Sequence, residues 1–241
     1  MIDHVRDLAS VREATERLLD AAASWDNAAV AEPSRLPGWT RGHVLAHIAR
    51  NADALVNVLQ GRPMYADAAT RDADIERDAP RPLDEQLTDV RESGERFQAV
   101  GAEPADWQRT VELRNGVTDR AARVPFRRWV EVALHHVDLG VGYELEDLPE
   151  EFVLREIDFL AERFAGHKDV PATAIRTQDG RIWTPDGGFQ DDAAWTTGGG
   201  AEGGPVAVSG TAPELLGWLA GRRDGSALKV EGGPLPKLPP L

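Results

Sequence analysis

The chain has 241 residues, 41% of them hydrophobic and 28% charged, an ordinary globular composition with room for one large domain or two modest ones. Its net charge of −14 argues against nucleic acid as a partner, because nothing forms a basic stripe to neutralise phosphates. It contains no cysteine, which excludes disulfides, a thiolate nucleophile of its own and any cysteine-ligated zinc, so a metal would sit among nitrogen and oxygen donors. No apolar run reaches the roughly 18 residues of a membrane helix, so no membrane partner is expected. The opening residues Met1 to Asp7 carry acids and no apolar signal core, and a cytoplasmic location is expected.

In chain order, Leu8, Val11, Thr15, Leu18 and Ala22 recur at helical steps and predict a first helix from about Asp3 to Ser24. Pro33 and the Leu36-Pro37-Gly38 turn end that region. Thr40 is a fitting N-cap for a second helix, Arg41 to Gln60, buried through Val44, Ile48, Leu55, Val58 and Leu59. Met64 to Pro82 is polar, rich in Asp and Arg and without clear periodicity, and is expected to be a long functional loop. A third helix is predicted from Leu83 to Val100. A short hairpin is predicted within 101–123 around Asn115-Gly116, followed by a fourth helix from Pro125 to Tyr143. Four helices of these lengths suggest a bundle.

After Leu148-Pro149 the pattern changes. A helix from Glu151 to Phe164 precedes short strand-like pieces at 173–177, 181–184, 206–209 and 227–230, with a helix at Thr211–Ala220 among them. The fold class expected is α+β: an N-terminal helical bundle over residues 1–149 and a smaller C-terminal α/β domain over 150–241. Gly198-Gly199-Gly200 reads as a flexible loop, since no Lys-Ser/Thr follows to make a phosphate cradle. The tail from Gly232, with four prolines, reads as extended.

The chemistry concentrates in two helices. Glu131 and His135 stand at i and i+4, so both point from one face of the fourth helix and can reach one cation. A third ligand can come from the second helix, where His43 and His47 are also i, i+4 partners. His47 is preferred, because it lies nearer the apolar stripe. Two imidazoles and a carboxylate suit zinc or another first-row divalent ion with a position left open, which is the pattern of a catalytic site. His136 points about 100° away from His135 and reads as a packing residue or as one that supports a ligand from behind. Asp138 reads equally as a carboxylate that orients a ligand or as a solvated charge near the helix end. His4 and His167 read as surface residues.

The stretch from Leu36-Pro37-Gly38-Trp39-Thr40 through His43 to His47, then Met64-Tyr65, then Glu131 through His135 to Val137-Asp138-Leu139-Gly140, with the closing Leu238-Pro239-Pro240, resembles the mycothiol-dependent maleylpyruvate isomerases. The resemblance spans nearly the whole chain. It implies a DinB-like four-helix bundle with a metal site, a smaller C-terminal domain, zinc on His47, Glu131 and His135, and mycothiol as thiol cosubstrate. It also implies that Arg71 and Arg222 serve the thiol or substrate as catalytic and cofactor-binding residues. Taken alone, Arg71 reads as a solvated loop charge and Arg222 as a cation at a helix C-terminus. The activity implied is cis–trans isomerisation of maleylpyruvate to fumarylpyruvate, a step of aromatic catabolism through gentisate. The alternatives are a mycothiol S-transferase acting on another electrophile, or a non-catalytic metal-stabilised binding module. The partners expected are a small-molecule substrate and a low-molecular-weight thiol, with the chain a monomer or small homo-oligomer.

Overall fold

The structure is a computed structural model and describes residues 3–183, 189–190, 194–199 and 206–240. The fold is α+β, and the chain divides into two compact units, residues 2–143 and 144–241.

The first unit contains α1 (His4–Ala22), α2 (Asn27–Val30), α3 (Arg41–Leu59), α4 (Ala68–Asp78), α5 (Leu83–Gly101), a hairpin of β1 (Thr110–Glu112) and β2 (Thr118–Arg120), and α6 (Val124–Asp138). Its four long helices form a ring. Both α1 and α3 pack against α5 and α6, and their apolar faces enclose Val11, Leu18, Val44, Leu45, Ile48, Leu55, Val90, Phe97, Val132 and Val137. Thr40 caps α3 as its residue type predicts, in a reciprocal box with His43. Gly42 is needed beside it, since a Cβ there would lie 2.1 Å from the Ala79 carbonyl oxygen. The hairpin turns through Asn115 (φ 60°) and Gly116 (φ 71°), the left-handed pair its Asn-Gly suggests. α6 stops at Asp138 rather than Tyr143, because Gly140 takes a left-handed φ of 67°.

The expected loop at 64–82 is corrected: its centre is helical, as α4. Asp67 caps that helix, accepting from the Thr70 amide at 2.7 Å. Only Ile75 and Asp78 of α4 are buried, so it carries no apolar stripe to read. Ion pairs hold it instead. Asp78, 1% exposed, accepts from Arg77 at 2.8 Å and from Arg81, and lies 3.5 Å from Arg50 of α3. Arg50 also pairs with Asp89 of α5 at 2.5 Å. A dry carboxylate met by several guanidinium groups replaces the apolar face as the docking device.

The second unit contains α7 (Glu150–Phe164), β3 (Thr173–Thr177), β4 (Ile182–Trp183), β5 (Phe189–Gln190), β6 (Trp195–Thr197), β7 (Val206–Gly210), α8 (Ala212–Leu219) and β8 (Lys229–Glu231). The main sheet has the order β6-β3-β7-β8, with β3 and β7 parallel (Thr173 opposite Val206, Thr177 opposite Gly210) and the outer pairs antiparallel. α7 packs against α8, which starts in a Thr211–Glu214 capping box. β6 is an added strand of three residues, too short to show alternation. Just past it, in the segment read as a glycine loop, the Gly198 amide donates to the Phe164 carbonyl at 3.1 Å, and its carbonyl accepts from Gly166 at 2.8 Å. Gly200 and Thr184, in the loop and strand predictions, lie outside the described residues. Among the described residues no helix is long and apolar enough to cross a membrane.

Candidate metal centre

The two helices singled out by their histidines meet in the bundle. α3 brings His47, on the turn that also buries Val44 and Ile48, and α6 brings Glu131 and His135 from successive turns of one face. His47 Nε2 lies 2.9 Å from Glu131 Oε2, His135 Nε2 lies 3.4 Å from the same oxygen, and the two imidazoles meet edge to face at 4.7 Å. One donor atom from each of the three falls within 4.8 Å of the others. Two imidazole nitrogens and a carboxylate oxygen converging in this way fit a divalent first-row ion. The His47 side chain is 7% exposed and that of Glu131 is 33%, so the cluster has a dry floor and an open edge.

The surroundings orient the ligands. Asp138, with no exposed surface, takes the Nδ1 hydrogen of His135 at 2.8 Å, which leaves Nε2 for the centre. Arg71 of α4 lies with Nη2 3.3 Å from His47 Nδ1, over the Tyr65 ring at 6.0 Å, and pairs with Asp72 at 2.6 Å. A guanidinium only donates, so His47 Nδ1 accepts here and Nε2 carries the proton that reaches Glu131. Trp39 tilts against the His47 ring at 5.5 Å and closes another side.

Electrostatics separate the two histidines. Burial lowers His47 to about 4, more than its hydrogen bond to Glu131 restores, so it stays neutral at neutral pH. For His135 burial also works downward, but hydrogen bonds to Asp138 and Glu131 outweigh it and raise the imidazole above its usual range. Burial pushes the Glu131 carboxyl upward, and the His135 and His47 hydrogen bonds overcome it, holding the group well below the ordinary carboxylate range. The cluster is thus a carboxylate between a neutral and a proton-attracting imidazole.

His43 turns to local work: its Nδ1 accepts from the Thr40 amide at 3.1 Å and its Nε2 faces Glu76 at 3.4 Å. His136 is 2% exposed and stacks on Tyr143 at 4.1 Å, as a packing residue does. His4, read as a surface residue, stacks on Trp107 at 4.2 Å, and His167 accepts from the Asp169 amide at 3.3 Å. Arg71 is not in a loop but on α4, beside the cluster. Arg222 follows α8 in the second unit, and its Nη1 donates to the Ala220 carbonyl at 2.7 Å. Residue-by-residue reading passed over Trp39, Tyr65 and Arg128. Arg128 left a signal, a charge midway between Val124 and Val132 on the buried face of α6.

Comparison with known proteins then bears on the whole chain. Residues 11–140 match the family described as the mycothiol maleylpyruvate isomerase N-terminal domain, and residues 147–240 match the C-terminal domain of the same family. A crystal structure of the mycothiol-dependent maleylpyruvate isomerase superposes with a TM-score of 0.83 at 24% identity, covering 99% of this chain and 97% of that one. A crystal structure of a histidine-to-alanine mutant of that isomerase has the same TM-score and coverage at 23% identity. Likeness at that identity shows the fold. No curated protein matches the chain. The two matches together cover most of the sequence, and the chain belongs to the mycothiol maleylpyruvate isomerase family.

Proposed function

We propose that this chain is a metal- and thiol-dependent cis–trans isomerase that converts maleylpyruvate to fumarylpyruvate with mycothiol as the thiol. The observation that carries the reading is the convergence of His47, Glu131 and His135 on one open-edged point, in a family that takes its name from the mycothiol maleylpyruvate isomerase. The chain has no cysteine, so a sulfur nucleophile must come from a small-molecule thiol. Zinc or a similar divalent ion held there would supply positive charge that favours thiolate over thiol and polarises a carbonyl.

The reaction needs the substrate double bond opened and remade. Thiolate sulfur adds to one alkene carbon while the adjoining dioxo chain takes up the electron pair. The carbon–carbon bond, now single, rotates. Return of the electron pair expels the thiolate and leaves the trans isomer, so atoms and charge balance with no redox step.

The chain's own residues bind and orient. Neutral His47 and anionic Glu131 would offer lone pairs with no net proton release, and Asp138 would keep the His135 ring directed inward. A neutral imidazole that ligates through Nε2 carries its proton on Nδ1, where it no longer accepts from Arg71. Arg71 would then be placed to face a substrate or thiol anion, which a guanidinium holds in fork geometry. Arg222 is carried as a second anion-binding residue on the strength of the family resemblance.

The test is stopped-flow loss of maleylpyruvate absorbance with and without mycothiol, on metal-loaded and chelator-treated protein. Turnover should require both thiol and metal. Turnover without thiol would overturn the reading. Inactivity toward maleylpyruvate with conjugation of mycothiol to monochlorobimane would replace it with an S-transferase.

A further inference from the structure

Arg128 is the largest fully buried side chain among the described residues, with 0% exposure. It lies on α6 one turn before Glu131. Its Nη1 donates to two acceptors on α3, the Ile48 carbonyl at 2.8 Å and Asn51 Oδ1 at 2.9 Å. Ile48 directly follows His47. The guanidinium therefore joins the turn that carries one imidazole to the helix that carries the other two donors.

We propose that Arg128 is a positioning residue of the metal centre, a buried guanidinium clamp that sets the distance between His47 on α3 and the Glu131–His135 face of α6. The inference rests on the metal-centre reading given above. Full burial excludes Arg128 as a direct contact for a substrate anion. Its Nε and Nη2 are buried and make no hydrogen bond among the described residues. A group so placed costs free energy that a methionine of similar length would not. General packing of α3 on α6 would be served as well by an apolar side chain. A fixed hydrogen-bonded length between the helices would not, and ligand distances must hold within about 0.2 Å for a metal to bind well. Burial lowers the Arg128 guanidinium to about 10, against the Glu131 carboxylate, Tyr65 and Asp53, which favour its charge, so it remains a cation at neutral pH.

The experiment compares wild type, Arg128→Met, Arg128→Lys and Asn51→Ala by thermal unfolding, zinc titration against a competing chelator, the visible spectrum of the cobalt-loaded protein, and crystal structures without metal. Arg128→Met should fold with an unfolding temperature at or above wild type, yet bind zinc about 10- to 100-fold more weakly, the scale seen when a group orienting a ligand is lost. Its cobalt spectrum should change, and the His47 Nε2 to Glu131 Oε2 separation should move from 2.9 Å. Arg128→Lys should recover part of the affinity, and Asn51→Ala should lose a smaller part. If Arg128→Met does not fold, the Lys and Ala variants carry the same comparison. Wild-type affinity, spectrum and separation in every folded variant would overturn the proposal. Failure of wild type to bind zinc would overturn the metal reading instead, while the His47–Glu131 separation in the variants would still decide whether Arg128 sets it.

Discussion

The two units place their candidate residues by different means. In the bundle the chemistry sits inside long helices, so the step of the helix determines where each side chain points: Glu131 and His135 share a face, and His47 meets them across the interface of α3 and α6. In the second unit Arg222 sits just past α8, with its guanidinium on the Ala220 carbonyl and its amide on the Gly217 carbonyl at 2.7 Å. That is the position of a cation completing a helix end. Geometry alone nominates His47, Glu131 and His135. The resemblance to the family alone nominates Arg222.

The comparison breaks most sharply at His47. His47→Ala should lose bound metal and activity together, by more than the roughly 10- to 100-fold that loss of an orienting partner costs. Full metal-dependent turnover in that variant, measured beside its zinc content, would remove His47 from the ligand set.

Acid should expose the same residue in the metal-free protein. His47 titrates near 4 when folded and near 6.5 when unfolded, so the unfolded chain binds the proton more readily. Its contribution is complete above pH 6.5 and is lost as pH falls toward 4, a loss of about 3 kcal/mol. Glu131, held low, adds a loss in the same direction at acid pH, whereas His135, raised, stabilises at low pH and loses that contribution as pH rises. Urea unfolding of chelated protein across this range should show the decline, and His47→Leu should flatten it. An equal decline in the variant would contradict the assignment.

The two arginines sharpen the contrast between units. Arg71→Met should keep zinc and lower kcat/KM about 10- to 100-fold, the equivalent of one charge-assisted hydrogen-bonded contact. Arg222→Met should do likewise if it serves an anion. If it only completes a helix end, the change is about 0.5 kcal/mol of stability with kcat/KM unaltered. Steady-state kinetics beside thermal unfolding separates the two. At His43 only stability should change: His43→Ala should cost about 1 kcal/mol as a lost cap and leave zinc affinity unchanged.

Much of this was legible in the residues themselves. Thr40 announced the start of α3 and Asn115-Gly116 the hairpin turn, because caps and left-handed turns depend on few local contacts. The choice between His43 and His47 followed from which lay beside the apolar stripe. What periodicity missed was built from charge. α4 docks through Asp78 and its arginines rather than an apolar face, so periodicity places Arg71 in a loop. Arg128 sits at an apolar position of α6 and is explained only by the α3 oxygens it meets, which no single stretch of sequence contains. The strand β6 exists through its pairing with β3, a long-range event that three residues cannot signal.

The most direct test is anomalous diffraction at the zinc edge from crystals grown with zinc. One strong peak is predicted about 2.0–2.2 Å from the Nε2 atoms of His47 and His135 and from a carboxylate oxygen of Glu131. A zinc-replete crystal with no peak there, or with its zinc bound elsewhere, would contradict the account.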